Sequence, residues 1–137
     1  MIPSPTPILL DSNALIALTA ADHLAHRLVR RWITDHPFPF ATCPITQGAL
    51  LRFHLRLAPT SGAAVAHSIL EALEHHPRHR FWADDLPYSA LRHLPLRGHQ
   101  QVTDFYLASL AVAKSTRLLT LDRSLAAFRP DACLLLE

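Results

Sequence analysis

Two apolar segments that each end in an aspartate constrain this chain most. The first, residues 7–10, leads into Asp11, and an apolar helical pattern begins immediately after it. The second, residues 117–121, leads into Asp122. A short buried strand delivers the residue after it to the carboxyl edge of a sheet, where open α/β folds bind their ligands. The central question is therefore whether these two carboxylates meet.

The alternation of short apolar segments with helical patterns predicts an α/β fold. It favours a parallel sheet of about five short strands, flanked by helices on both faces in three layers, within one domain spanning residues 1–137. Strands are predicted at 7–10, 38–42, 80–83, 117–121 and 132–136. Helices are predicted at 12–19, 23–35, 44–57, 62–75, 101–114 and 123–128, with a short helix and loop within 87–99. Ser12 and Asp22 are the predicted caps of the first two helices.

The composition is that of a compact soluble protein. Half of the residues are hydrophobic and 18% are charged, which argues against disorder. The formal net charge is +2, and Lys114 is the sole lysine among 13 basic residues. Arginine suits phosphate recognition, and a pI near 8.8 permits a nucleic-acid partner without requiring one.

The cysteines and the hydropathy pattern predict a cytoplasmic protein without a membrane partner. Cys43 and Cys133 each lie in an apolar stretch, and no paired spacing such as C-x-x-C is present. Buried free thiols in a reducing compartment are the expected state. No apolar run approaches the length needed to span a bilayer.

Asp104 is a third carboxylate that the predicted topology brings to the same edge. It lies at the start of the helix 101–114, which directly precedes the strand 117–121. Each acid also has a purely structural interpretation. Asp11 can cap the helix 12–19, Asp104 can stabilise the positive end of its own helix, and Asp122 can begin a turn.

A shared site for the three acids requires a counter-charge. Carboxylates that converge on one cleft repel each other unless protons or a cation neutralise them. A hard divalent ion held by oxygen ligands is the simplest answer. Such an ion polarises a phosphate and generates hydroxide from bound water. The sequence therefore indicates a metal site made by Asp11, Asp104 and Asp122.

Four segments together resemble the PIN-domain ribonucleases, and specifically the VapC-type toxins of bacterial toxin–antitoxin modules. They occur in the family's order across nearly the whole chain. The segment 79–85 also resembles one subgroup. The four segments are Leu9–Ile16, Thr42–Gln47, Val102–Ala108 and Leu118–Arg123.

This resemblance implies a function and a set of residues. It implies a Mg²⁺- or Mn²⁺-dependent endoribonuclease whose metal ligands are Asp11, Asp104 and Asp122, with Asn13 supporting the site. It also implies a small cognate antitoxin that blocks the cleft and a homodimer, and transfer RNA is a plausible substrate for such toxins. Five arginines are candidates to hold RNA phosphates, although a solvated basic surface explains each of them as well. They are Arg52, Arg56, Arg92, Arg97 and Arg123.

Gln47 departs from the family pattern. The family commonly has a glutamate early in the helix after the second strand, and an amide there adds no charge and cannot act as a carboxylate base. A weaker divalent site, with one ion rather than two, is expected. Asp84 or Asp85 would compensate if the end of the third strand turned toward the cleft. The alternative function is a PIN-like module that binds RNA or protein without cutting.

Other chemistries have less support. Histidines are grouped as His23 with His26 and as His75, His76 and His79, but no H-E-x-x-H motif is present, so helix-end or surface positions are preferred over zinc binding. The G-x-S-x-G motif of serine hydrolases is absent. The segment 11–13 also lacks the second aspartate of aspartyl-phosphate phosphatases.

Overall fold

The fold is built on a sheet of five very short parallel strands. The computed structural model describes residues 6–58, 60 and 62–137. All four strand pairs are parallel, and the spatial order is β3-β2-β1-β4-β5. This confirms the predicted parallel sheet. The strands are β1 (Ile8–Leu10), β2 (Phe40–Thr42), β3 (His79–Phe81), β4 (Leu118–Thr120) and β5 (Cys133–Leu135).

Six α-helices connect these strands. The predicted bounds 12–19, 44–57 and 123–128 agree with the structure to the residue, and a short 3₁₀ helix occupies Tyr88–Leu91 within the predicted segment 87–99. In the part of the chain that the structure describes, no helix has the length and apolarity to cross a bilayer. The α-helices are α1 (Ser12–Thr19), α2 (His26–Asp35), α3 (Pro44–Leu57), α4 (Gly62–Glu74), α5 (Gln101–Ala113) and α6 (Arg123–Phe128).

The sheet separates two hydrophobic cores, because successive strand residues point to opposite faces. Leu9 and Leu118 face one core, to which α5 contributes more buried side chains than any other element. Leu10 and Leu119 face the other, which is covered by α1, α2, α3 and α4. The three-layer arrangement with helices on both faces is therefore confirmed.

The chain changes direction across the sheet at β1. From β1 it proceeds through β2 to the edge strand β3, and it then returns to place β4 on the other side of β1. The N–H of Asp11 donates to the carbonyl of Leu119 at 2.9 Å, so the pairing of β1 with β4 continues to the first aspartate. Asp11 and Asp122 thus follow neighbouring strands at a topological switch point.

The predicted helix caps are wrong for the first two helices. Asp11, and not Ser12, caps α1, since its side chain accepts from the N–H of Ser12. Helix α2 begins at His26 instead of residue 23, and Asp22 does not cap it. The ring of His23 accepts a hydrogen bond from the N–H of Ala25 at 3.0 Å, which ties the chain into a turn before the helix starts.

All five strands are shorter than predicted. The second was expected to begin at residue 38, but β2 begins at Phe40 because Pro39 has no N–H to donate to a ladder. The third was expected at 80–83, and β3 lies one residue earlier, where His79 pairs with Phe40. These changes leave the order of the elements intact.

Arg78 joins the end of α2 to the start of β3. Its guanidinium donates to the carbonyl oxygens of Ile33 at 2.8 Å, His36 at 2.6 Å and Phe38 at 3.0 Å. The last carbonyls of a helix have no partner within the helix, and a basic side chain can satisfy them. Arg78 therefore fixes the connection between α2 and β2 against the edge strand.

Gly62 allows α4 to start in close contact with α3. A Cβ atom at this position would lie 3.0 Å from the carbonyl oxygen of His54 and 3.2 Å from the Cα of Leu55. We expect Gly62→Ala to lower the free energy of unfolding by about 1–3 kcal/mol, although alanine is the better helix former. Urea unfolding measures this change. Gly98→Ala is the matched control because no described atom lies within 4 Å of its Cβ position. Equal losses for the two variants would contradict the close helix contact.

Candidate metal centre

Asp11 is held in a fixed orientation at the end of β1. Its side chain is only 3% exposed. One carboxylate oxygen accepts from the N–H of Ser12 at 2.8 Å, and the other accepts from the hydroxyl of Thr120 at 2.7 Å. Burial raises the pKa of Asp11 above its usual value, the two hydrogen bonds oppose this shift, and the charge of Asp122 adds to it. A charged Asp11 is therefore destabilised by its surroundings.

Thr120 is a site residue that the sequence analysis did not identify. It is fully buried in β4, and its Oγ1 both donates to Asp11 and accepts from the N–H of Asp122 at 3.0 Å. One hydroxyl thus links the ends of the two neighbouring strands. The available signal was a polar residue within the otherwise apolar run 118–121.

Asp122 and Asn13 form hydrogen bonds at the carboxyl end of β4, next to the end of β1. The carboxylate of Asp122 accepts from the N–H of Leu125 at 3.1 Å and so caps α6. The amide oxygen of Asn13 accepts from the N–H of Leu121 at 3.3 Å, which ties α1 to the end of β4. The structural interpretation of Asp11 as a cap is therefore correct, and Asp122, expected only to begin a turn, also caps a helix. Both roles coexist with the proximity of the two acids at the switch point.

Asp104 lies in the first turn of α5, on the same side of the sheet as the two strand ends. Burial is the main cause that raises its pKa to about 6, and the charges of Asp11 and Asp122 raise it further. The three predicted carboxylates are thus close enough to repel one another. None of them takes part in the ion pairs found in residues 6–58, 60 and 62–137. Their shared negative field is not compensated by a basic side chain there.

The donor chemistry at this edge fits a hard cation. Within the described residues, no group of three or more His, Cys, Asp or Glu side chains is already gathered closely enough to hold a metal ion. Mg²⁺ does not require such a closed set, because it retains several waters and binds through one or two carboxylates together with substrate phosphates. A set of repelling carboxylates that lacks a cationic partner is therefore compatible with an open magnesium-type site.

Gln47 is engaged with a neighbouring strand. Its Nε2 donates to the hydroxyl of Thr42 at 3.1 Å, and that hydroxyl lies 2.7 Å from Nε2 of His79. The side chain is partly buried in the first turns of α3. The position at which a fourth acid was expected is thus part of an uncharged hydrogen-bond network.

Asp85 is engaged in an ion pair, and compensation for the missing acid by Asp84 stays a prediction. Both follow β3, which lies at the edge of the sheet, two strands away from β1. The carboxylate of Asp85 pairs with Lys114 at 3.4 Å. The charges that raise the pKa of Asp104 are those of Asp11 and Asp122, and neither of these later acids contributes.

Four of the five grouped histidines are used in local structure near helix ends, as the sequence analysis preferred. The preference is wrong for His79, which is buried in β3 and lies 2.7 Å from the hydroxyl of Thr42. His26 donates to the carbonyl of Ala17 at 2.8 Å, and His75 donates to that of Glu71 at 2.8 Å. His76 accepts from the N–H of Arg78 at 3.1 Å. These bonds occupy one ring nitrogen each and explain the positions without zinc.

The five candidate phosphate-binding arginines all lie on the surface. Arg123 forms an exposed ion pair with Glu137 at 3.2 Å, and the guanidinium of Arg97 lies 5.8 Å from the centre of the Phe128 ring. Exposed pairs of this kind contribute little to stability. The arginines therefore remain available to an anionic ligand, and their role stays a prediction.

Removing the Thr120 hydroxyl is expected to destabilise the protein. Thr120→Val leaves a buried oxygen of Asp11 without its donor and the N–H of Asp122 without its acceptor, and the expected loss is about 1–3 kcal/mol in the free energy of unfolding. Thr120→Ser retains the hydroxyl and is the matched control. Chemical denaturation of both variants measures the difference. If the valine variant were as stable as the serine variant, the hydroxyl would have no role in holding Asp11.

Comparison with known proteins gives consistent matches. The PIN domain family profile matches residues 8–129. A Mycobacterium tuberculosis protein named Ribonuclease VapC29 is 41% identical over 129 residues, which cover 94% of this chain and 96% of that protein. Ribonuclease VapC38 of the same organism is 37% identical over 118 residues, which cover 83% of this chain and 84% of its own length.

Solved structures with low sequence identity share the fold. M. tuberculosis VapC20, described as a Sarcin-Ricin loop cleaving toxin, superposes with a TM-score of 0.64 at 17% identity and covers 88% of this chain and 93% of its own. A chain of VapBC2 from Rickettsia felis, bound to a DNA fragment from their promoter, gives a TM-score of 0.66 at 14% identity, with coverage of 95% and 98%.

Proposed function

Because the chain belongs to the PIN-domain family and, within it, to the VapC proteins, we propose that it is an endoribonuclease and the toxin component of a type II toxin–antitoxin system. The observation that carries this proposal is the set of three mutually repelling carboxylates, Asp11, Asp104 and Asp122, at the switch point of the sheet. Relatives named as ribonucleases, at 37–41% identity over most of the chain, support the same reaction class.

We propose that Asp11, Asp104 and Asp122 hold Mg²⁺ or Mn²⁺. The bound ion would supply electrostatic stabilisation of charge at the scissile phosphate and would lower the pKa of a water molecule. The residues around it have distinct tasks. Thr120 and the N–H of Ser12 fix the orientation of Asp11, and Asn13 fixes the backbone that leads to Asp122. Water would add to the phosphorus as the bond to the leaving ribose oxygen breaks, and the proton lost by the water would balance the proton gained by that oxygen.

The direct test is cleavage of RNA by the purified protein. Total cellular RNA is incubated with the protein in a chelator and then with Mg²⁺ or Mn²⁺, and the products are sequenced from their new ends. Defined fragments that require the divalent ion are the expected result. Intact RNA in the presence of both ions, with a folded protein, would count against the assignment.

The partners and the substrate extend the same proposal. We propose a small cognate antitoxin that covers the carboxylate edge, a homodimer, and transfer RNA as a substrate class. The cytoplasm is the proposed location, and two buried free thiols, Cys43 and Cys133, support a reducing compartment. The end sequences from the cleavage experiment identify the RNA, and light scattering with and without the antitoxin measures the assembly.

One observation favours a second candidate, a single PIN-like domain that binds RNA or protein without cutting it. Gln47 adds no charge to the edge, and its amide is bonded to Thr42. Isothermal titration separates the candidates. A non-catalytic module would bind RNA but would not bind a divalent ion. The ribonuclease would bind both RNA and the ion.

A further inference from the structure

Three side chains from three different elements form a continuous hydrogen-bond chain beside the carboxylate edge. His79 lies in β3, Thr42 is the last residue of β2, and Gln47 lies near the start of α3. The Nε2 atom of His79 lies 2.7 Å from Oγ1 of Thr42, which accepts from Nε2 of Gln47 at 3.1 Å. Thr42 is fully buried and His79 is 9% exposed. Solvent therefore competes little for these bonds.

The donors and acceptors of the three groups fit one direction of hydrogen-bond donation, from Gln47 through Thr42 to His79. The NH₂ of a glutamine side chain only donates, whereas a threonine hydroxyl has one proton to donate. Since Thr42 accepts from Gln47, its own proton is available to His79, and an unprotonated Nε2 of His79 is the acceptor that completes the chain. Burial lowers the pKa of His79, which favours this neutral ring. The donor end of the amide is thus directed toward Thr42.

This direction matters because an amide, unlike a carboxylate, has two different ends. A glutamate presents equivalent oxygens whichever way it turns, but a glutamine that turns its NH₂ toward a cation or an attacking water presents the wrong group. Gln47 lies only a few residues after the carboxyl end of β2. Strand β2 pairs with β1, and Asp11 directly follows β1. Helix α3 therefore starts at the edge of the sheet where β1 ends before Asp11.

We propose that His79 and Thr42 are positioning residues that fix the amide of Gln47, so that Oε1, the only acceptor of this side chain, is the end left for a water or a cation at the carboxylate site. This inference rests on the proposed ribonuclease function. In this proposal Gln47 presents a neutral oxygen in a fixed direction, where a glutamate would present a charge. Thr42 in β2 and His79 in β3 hold that oxygen in place.

The test is a double-mutant cycle with Thr42 and Gln47. Thr42→Val retains the shape of the side chain and removes the hydroxyl, and it is expected to lower kcat by about 10–100-fold with little change in KM for RNA. Thr42→Ser retains the hydroxyl and is expected to recover most of that loss. In a Gln47→Ala background, Thr42→Val is expected to have no further effect. An equal loss in both backgrounds, or no loss in either, would overturn the proposal.

Two measurements distinguish a failure of the positioning role from a failure of the proposed ribonuclease function. If Asp11→Asn cleaves RNA as well as the wild type, the proposed function is wrong; if it is inactive while Thr42→Val is fully active, only the positioning role is wrong. The wild-type protein provides a test that needs no substitution. Nitrogen-15 NMR is expected to show His79 with an unprotonated Nε2 and the NH₂ of Gln47 protected from exchange. A protonated Nε2 would reverse the chain and overturn the inference.

Discussion

Asp11→Asn is expected to reduce RNA cleavage at least about 100-fold while the protein remains folded. The substitution removes the most buried of the three acids at the switch point, and with it one charge that a divalent ion requires. The fold is retained because asparagine is as good a helix cap as aspartate, so the bond to the N–H of Ser12 can persist. The loss of one acceptor for Thr120 is offset by removal of a buried charge that its surroundings disfavour.

Cleavage is measured under single-turnover conditions, together with circular dichroism and the melting temperature. Asp85→Asn is the matched control, since it removes an exposed acid whose partner is Lys114 and which lies away from the switch point. This control is expected to cleave RNA at the wild-type rate. Equal activity of Asp11→Asn and Asp85→Asn would show that the carboxylate edge is not the site of the reaction.

The response of stability to divalent ions is expected to depend strongly on pH. Asp104 has a pKa of about 6 in the folded protein against 3.8 in the unfolded chain. The folded state therefore holds the proton more tightly, and the stability that this group contributes at low pH is lost as the pH rises from about 4 to about 6. Above that window the carboxylate is charged, destabilising and ready to bind a cation.

A divalent ion should reverse this loss only where Asp104 is ionised. At an ion concentration of about 100 times the Kd at pH 8, the expected stabilisation is about 2.7 kcal/mol near pH 8 and about 1.4 kcal/mol near pH 5, where protonation of Asp104 weakens the binding. Thermal unfolding in Mn²⁺ and in chelator measures the difference. Asp104→Asn should be more stable than the wild type without ions near pH 8 and should not respond to Mn²⁺. An ion response that is the same at both pH values would contradict a role for Asp104.

The sequence predicted those parts of the fold that local patterns determine. Pro44 after an apolar segment placed the start of α3 correctly, and the run that ends in Asp11 placed both β1 and α1. The start of α2 was missed because the ring of His23 satisfies a backbone N–H that a cap would otherwise satisfy. A side chain that forms a hydrogen bond within its own turn leaves no periodic hydrophobic pattern from which the bond could be predicted.

The candidate site was predictable to the level of its acids and not beyond. The proximity of Asp11 and Asp122 follows from the order of the strands. The sequence leaves open whether these two strand ends meet, and the sheet order answers the question by placing β4 beside β1. The bond of Thr120 to Asp11 joins residues 109 positions apart, and that of Thr42 to His79 joins residues 37 apart. Residues so far apart in the sequence become neighbours only when the sheet assembles, and no local spacing predicts these pairs.

The pairing of β1 with β4 also determines when during synthesis the site can exist. Asp11 leaves the ribosome early, but Thr120 and Asp122 emerge only after five α-helices and two further strands have been made. Closing so long a loop has a large entropic cost, and parallel pairing of distant strands is slow. A nascent chain that ends before β4 carries Asp11 and Asp104 but has neither the hydroxyl donor Thr120 nor the carboxylate of Asp122. The complete site is therefore absent until β4 and the residues after it have been made.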